Sequence, residues 1–269
     1  LVRPDICGFG SNSKEELCAR WYQAGTLYPF FRNHNQIGAV SQEPYAMGPT
    51  LLKTAQLALR LRYSLLKHYY AIFLKQNGTG TVFRPVFFEF PSDNNFYDHK
   101  FDYVDRQYLF GESLMLAPVL QEKANQVDIY FPQATWYDFS NGNIILRSNQ
   151  SSKVVSYQNS LNQTVPLFIR GGYIVATQDV TNVNRTDDLS NNFTLIVALQ
   201  LIGSSNLVRT YLSSGHLIGL SDMSDSNIVA KCISYNCVYR VNASFTYTVG
   251  GSYLLILQFT VDNNNIGAD

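Results

Sequence analysis

Asp5, Phe9, Arg32 and His34 are residues whose types suit recognition of a polyhydroxylated ligand. A carboxylate accepts hydrogen bonds from hydroxyls, guanidinium and imidazole groups donate them, and a phenyl face covers the apolar side of a sugar ring. They fall in two short stretches, Asp5-Ile-Cys-Gly-Phe9 and Tyr28-Pro-Phe-Phe-Arg-Asn-His-Asn35, with room for one short helix between them. Such a helix returns the chain, so the acid and the Arg/His pair share a neighbourhood. On residue types alone a second account stands beside this one: Arg32 and His34 as a satisfied polar pair under a loop.

Other positions carry chemistry more weakly. Glu89 is a carboxylate in the apolar run 82–90, a setting that suits acid/base work. Arg84, five residues earlier, offers a structural ion pair instead. His68, beside Tyr69 and Tyr70, reads as structural. Arg170-Gly-Gly172 marks a tight backbone bend rather than a phosphate cradle. Cys7, Cys18, Cys232 and Cys237 are spaced C-x10-C and C-x4-C. Zinc pairs and local disulfides both fit that spacing, but no histidine cluster accompanies either pair. Local disulfides in an oxidising compartment are the better account. No motif calls for a metal or a cofactor. Six N-x-S/T sequons, at Asn77, Asn149, Asn162, Asn184, Asn192 and Asn242, suit a glycosylated protein of a lumenal or secreted compartment.

Composition sets the bounds. The 269 residues are 46% hydrophobic and 15% charged, enough for one large core or a few small ones. Twenty basic and twenty acidic residues balance to +0, so nothing suits a nucleic-acid backbone or an anionic membrane. There is no apolar run long enough for a membrane segment. The 18 Tyr and 17 Phe fit β-rich cores and sugar contact alike.

Several elements must position the first cluster. Ser13 and Glu16 form a capping-box pattern opening a helix over about 14–24, with Leu17, Ala19, Trp21 and Ala24 turned inward and Gly25 ending it. Gly48-Pro-Thr opens a single long helix to about Lys75, closed by Asn77-Gly78. Its polar stripe is Lys53, Gln56, Arg60, Ser64, Lys67 and Lys75, and its buried side is Leu51, Ala55, Ala58, Leu65, Tyr69 and Phe73. Residues 82–90 read as a strand. From Tyr103 on, short runs at 107–110, 114–120, 126–131, 135–139, 143–147, 153–157 and 165–176 alternate with turn residues, the pattern of a sandwich. Asn141-Gly142 marks a hairpin, with Trp136 and Tyr137 in the sandwich core or sealing it against the preceding part. After a polar stretch over 177–192, further strands are expected at 193–203, 207–212, 228–235, 237–248 and 252–261.

The strings D-I-C-G-F, E-L-C-A-R-W-Y-Q-A-G-T-L-Y-P-F-F-R-N-H-N and Q-E-P-Y closely resemble the late-barrel motifs of glycoside hydrolase family 31. The likeness continues through R-P-V-F-F-E-F-P-S-D, A-P-V-L, Y-F-P-Q-A-T-W-Y-D-F-S-N-G and V-P-L-F-I-R-G-G-Y-I-V, and fades after about residue 200. It implies an α/β part followed by all-β: the C-terminal part of a (β/α)₈ TIM barrel over 1–100, with 82–90 as its last strand. A proximal β-sandwich over 101–180 and a distal β domain over 181–269 follow. The chain then begins inside a barrel. Asp5 sits where a barrel strand gives way to a loop, the usual place of active sites in this fold. The resemblance also implies a Cys7–Cys18 disulfide. It places Asp5, Phe9 and His34 against the glucosyl ring in the −1 subsite, with Arg32 supporting the site or pairing with an acid.

Retaining glycosidases need two carboxyl groups about 5–5.5 Å apart. The family's nucleophile motif (W-x-D-M-N-E-like) and acid/base motif (R-W-x-G-D-like) are absent from this sequence. The expectation is therefore part of a retaining α-glucosidase acting on maltose-like α-glucosides, needing the N-terminal barrel half. A non-catalytic carbohydrate-binding or inactive β-rich module is the alternative. Cys7, Cys18 and Asn33 favour the lysosomal or digestive type over the endoplasmic-reticulum type, which has Gly at the first position and R-A-H-A in place of R-N-H-N. Tyr211-Leu-Ser-Ser-Gly215 replaces the family's acidic Asp-Asp-Gly loop, which removes the basis for a ligand role there.

Overall fold

The computed structural model describes residues 4–75, 77–98 and 103–189, with strands at 192–198, 208–211, 217–221, 229–232 and 254–260, the last four as backbone. Helix α1 spans Glu15–Gly25. The expected capping box does not form. Lys14 precedes the helix in an extended conformation, Ser13 Oγ is buried without a partner, and Glu16 Oε1 accepts from the Lys123 N–H at 2.7 Å. Glu15 Oε1 instead accepts from the Thr50 and Leu51 amides at 2.9 and 3.1 Å, capping a different helix. Tertiary donors outcompete the local motif because they hold these carboxylates away from their own helix end. The buried row is also turned by about one residue: Cys18, Ala19 and Tyr22 are inside, Leu17 is 51% exposed and Trp21 only partly buried.

Helix α2 (Pro44–Met47) leads into α3 (Pro49–Ser64) and α4 (Leu66–Lys75). The long helix expected here is broken at Leu65, where φ is −104° and ψ is 2°. The break lets one apolar face serve two cores. Leu51, Ala55 and Ala58 pack with Ile6, Cys18, Ala19 and Tyr22 of the first cluster's surroundings. Leu65, Tyr69 and Ile72 pack on the β-sheet. Phe73, expected inside, is 43% exposed. Asn77 and Gly78 close α4 in left-handed conformations, with the Gly78 N–H bonded to the Phe73 carbonyl at 2.8 Å.

Strand β1 is only Phe83–Pro85, because Val86–Phe88 coils into a 3-10 turn. It pairs antiparallel with β2 (Tyr108–Phe110), so the segment expected as a last barrel strand is hydrogen-bonded into the following β-sheet. Then come β3 (Leu114–Leu116), β4 (Gln126–Phe131), β5 (Trp136–Asp138), β6 (Ile144–Leu146), β7 (Lys153–Gln158), β8 (Leu167–Arg170) and β9 (Tyr173–Thr177). One sheet runs β1-β2-β3-β8-β5-β6, and β4-β7 pair separately. Period-two alternation sends Leu109, Met115, Trp136 and Phe168 to a core shared with β4 and β7, and Phe110, Leu114, Tyr137 and Ile169 to the core under α4. Trp136 thus lies in the core shared with β4 and β7, and Tyr137 in the core that the sheet shares with α4. The expected hairpin forms at Gly142 (φ 76°), whose N–H bonds to the Asp138 carbonyl at 2.8 Å.

The run 165–176 divides at Gly171-Gly172, and β9 enters another sheet of order β13-β12-β11-β9-β10-β14. Its members are β10 (Asn192–Ala198), β11 (Val208–Tyr211), β12 (Leu217–Ser221), β13 (Val229–Cys232) and β14 (Leu254–Thr260). Strand β12 was not anticipated, and the run 237–248 lies outside the described residues. Among the described residues no helix is long and apolar enough to cross a membrane.

Candidate functional site

The four residues picked out first are gathered by two adjacent chain segments. Ile6 and Asn33 form a parallel bridge, and the Ile6 N–H donates to the Arg32 carbonyl at 2.7 Å. Beside the bridge, Arg32 Nε and Nη2 both donate to Asp5 Oδ1, at 2.7 and 2.5 Å. The bonds from Arg32 both fall on Oδ1, not on Oδ2. The Asp5 side chain is 11% exposed and that of Arg32 47%, so the carboxylate is the shielded member of the pair. Arg32 also lies over Phe30, with Cζ 5.2 Å from the ring centroid.

Beyond Asp5 the chain turns sharply through Cys7 (φ 76°) and Gly8 (φ 85°). The turn delivers Phe9 to His34, ring centroids 5.5 Å apart, and the Phe9 carbonyl accepts from the Gln36 N–H at 3.1 Å. Two devices hold it. Cys7 is disulfide-bonded to Cys18 of α1, Cα atoms 4.3 Å apart. At the other end of α1, a Cβ on Gly25 would lie 2.5 Å from Ile6 Cδ1, so a side chain there would force the buried Ile6 to move.

Sequence reasoning missed the support beneath. Gln42 is buried and donates to Asn33 Oδ1 at 2.9 Å and to the Gly8 carbonyl at 3.2 Å. Asn33 returns a bond to the Gln42 carbonyl at 2.8 Å and donates to Tyr22 Oη at 3.3 Å. Burial pushes the Tyr22 phenol up from its ordinary range, so it stays neutral and accepts. The available signal was the string Q-E-P-Y, to which no role had been attached.

Glu89 is held by Arg84 Nη1 at 2.5 Å and Arg170 Nη1 at 3.4 Å, a structural clamp rather than a free acid. Asn77, Asn149, Asn162 and Asn184 are exposed, and Asn192 begins β10. Asn242 and Cys237, and the side chain of Cys232, lie outside the described residues. No group of three or more His, Cys, Asp or Glu among the described residues is placed to hold a metal ion.

Losing the Cys7–Cys18 bond frees the tightest turn of the site. By chain entropy a loop of this length contributes about 3 kcal/mol. Cys18→Ser should therefore lower Tm clearly. Peptide mapping without reduction should show the two cysteines linked; two alkylatable thiols would contradict the pairing.

Residues 1–72 match the TIM-barrel domain of glycosyl hydrolases family 31, and residues 79–175 match the family 31 C-terminal domain. The lysosomal acid alpha-glucosidase of Tetrahymena pyriformis is 39% identical over 263 residues, covering 93% of this chain and 27% of that protein. The lysosomal alpha-glucosidase of Bos taurus is 36% identical over 237 residues, covering 84% of this chain and 24% of that one. Among solved structures, a glucosidase II alpha subunit bound to Glc1Man2 superposes with a TM-score of 0.69 at 28% identity, over 85% of this chain and 25% of its own. The chain spans about a quarter of the length of the curated relatives it matches. With a site built on two parallel-bridged segments and both family domains matched in order, the chain belongs to glycoside hydrolase family 31.

Proposed function

We infer that the protein containing this chain is a retaining α-glucosidase that releases terminal α-linked glucose from maltose-like oligosaccharides in a lysosomal or other lumenal compartment. This chain supplies part of the −1 subsite. The carrying observation is the Asp5 carboxylate, oriented through Oδ1 by Arg32, on the same bridged pair of segments that brings Phe9 to His34. In this reading Asp5 accepts from ring hydroxyls, His34 donates to one, and Phe9 covers the apolar edge of the sugar. Such contacts orient the ring and strengthen as it flattens toward the transition state. In this reading the nucleophile and the acid/base come from the N-terminal barrel half; Glu15 and Glu16 are engaged at backbone amides instead. The lysosomal names of the two relatives support the compartment. The same reading divides the chain into the closing part of a barrel, a proximal sandwich and a distal β domain. The pairing of Phe83–Pro85 with β2 supports counting that segment with the sandwich.

Hydrolysis of maltose by the full-length protein, with wild-type and His34→Ala enzymes side by side, tests the assignment. One well-aligned hydrogen bond that tightens in the transition state contributes about 1.5–3 kcal/mol, so kcat/KM should fall about 10- to 100-fold with Tm nearly unchanged. Intact kinetics with a lowered Tm would leave His34 a packing residue. Glycan binding without turnover by the full-length protein would favour the non-catalytic module.

A further inference from the structure

A cleft of about 470 Å³ lies where α3 meets the loop joining β7 to β8, and it shares no residue with the Asp5–His34 cluster. That volume falls within the ordinary range of small-molecule sites, about 300–1,000 Å³. Leu57 and Leu61 line it from the helix, Phe139 and Pro166 from the sandwich, and Asn159 and Asn162 from the loop. Asn162 is exposed and heads the sequon Asn162-Gln163-Thr164, so the acceptor side chain is itself part of the cleft wall.

The loop is held from the barrel side. Gln23 Nε2 donates to the carbonyls of Ser160 and Gln163 at 2.9 and 2.8 Å, and Thr54 Oγ1 donates to that of Leu161 at 2.6 Å. The Ser160 N–H bonds to Gln163 Oε1 at 2.8 Å, which closes the turn around Asn162. With its neighbours tied down, Asn162 is presented from a fixed backbone. Asn159 is buried and donates to the Thr164 carbonyl at 2.8 Å, but its Oδ1 has no hydrogen-bond partner. A buried acceptor left unmade costs free energy, and Asn159 is one of the residues that line the cleft.

We propose that Asn162 carries an N-linked glycan whose first N-acetylglucosamine lies in this cleft and packs α3 against the sandwich. The proposal rests on passage through a lumenal compartment. In the transfer, the Asn162 carboxamide nitrogen bonds to C1 of the sugar of a lipid-pyrophosphate-linked oligosaccharide. The C1–O bond breaks, the lipid pyrophosphate leaves, and the nitrogen gives up one proton. The pyranose then sets its apolar face on Leu57, Leu61 and Pro166, while its hydroxyl and acetamido N–H groups supply donors beside Asn159. Asn149 and Asn184 are exposed sequons that do not line this cleft, so glycans there serve as controls.

The full-length protein, secreted from cells held at high-mannose glycans, is mapped by glycopeptide mass spectrometry. It is then melted intact, after endoglycosidase H (which leaves one sugar) and after peptide N-glycosidase (which leaves none). Asn162 should be occupied. Complete removal should lower Tm by about 2–4 °C, the shift that 1 kcal/mol gives a domain of 150–250 residues, while trimming to one sugar leaves it unchanged. That difference between the two digests should vanish in Asn162→Gln and persist in Asn149→Gln. If Asn162→Gln is not secreted, the two digests of the wild-type protein still decide. Equal Tm after both digests overturns the cleft placement. An empty Asn162 beside other occupied sequons overturns the proposal but spares the lumenal reading; no occupied sequon at all removes both.

Discussion

Asp5→Ala in the full-length protein should lower kcat/KM for maltose by about 10²–10⁴-fold. Two charge-assisted hydrogen bonds to sugar hydroxyls, at about 1.5–3 kcal/mol each, set that range. The stability effect is expected to be small, because the Arg32 partner is nearly half exposed and such pairs contribute about 0–1 kcal/mol. Asp5→Asn keeps an acceptor for Arg32 at the Oδ1 position but removes the charge and turns one oxygen into a donor. It should therefore retain Tm and lose most of the activity. The readout that separates recognition from architecture is kcat/KM set against Tm on one preparation. Activity per folded molecule near wild type, with a Tm drop of several degrees, would make the Asp5–Arg32 pair a loop staple and withdraw the subsite role.

The site was more legible than the helices that carry it. Asp5 meets Arg32, and Phe9 meets His34, because the two segments that hold them bridge directly at Ile6 and Asn33. The strand pattern after Tyr103 was readable for the same local reason. Alternation and turn residues specify where a strand lies, and β4, β5, β6 and β7 fall within a residue of the expected runs. What failed depended on tertiary competition. Ser13 and Glu16 carry a sound capping box, yet Glu16 finds the Lys123 amide and Ser13 is left without a partner. Pro49 to Lys75 carries one continuous helical pattern, yet a straight helix cannot face both α1 and the sheet, so it breaks at Leu65. The support under the site was illegible for a related reason. Asn33 and Gln42 are ordinary amides in sequence, and only their mutual pairing around the Gly8 carbonyl gives them a role.

Replacing His68 by Leu should flatten the pH dependence of stability on the acid side. His68 is buried on α4, its Nε2 3.3 Å from Ser113 Oγ, its ring 5.8 Å from that of Phe110 and its Nδ1 without a partner. Burial first, and the Lys75 charge second, push its pKa down from 6.5 to about 4. Lys75 is itself paired to Glu112 at 2.5 Å, which keeps that cation in place near the imidazole. The sign follows from proton counting. Between pH 6.5 and 4 the unfolded chain binds a proton at this position that the folded chain does not, so stability is complete above about 6.5 and drains away as pH falls toward 4. At about 1.4 kcal/mol per pKa unit, the full loss is about 3 kcal/mol, and about 2 kcal/mol is gone by pH 5. At pH 7.5, His68→Leu gives up the contact with Ser113 and should melt slightly below wild type. As pH falls to 4.5, wild type should lose stability faster and the two melting temperatures should converge or cross. A gap that stays constant from pH 7.5 to 4.5 would mean that His68 does not titrate differently on folding. In an acidic lumen this residue would be a standing cost. Its place in the core is then maintained by what the uncharged ring meets there, the ring of Phe110 and the hydroxyl of Ser113.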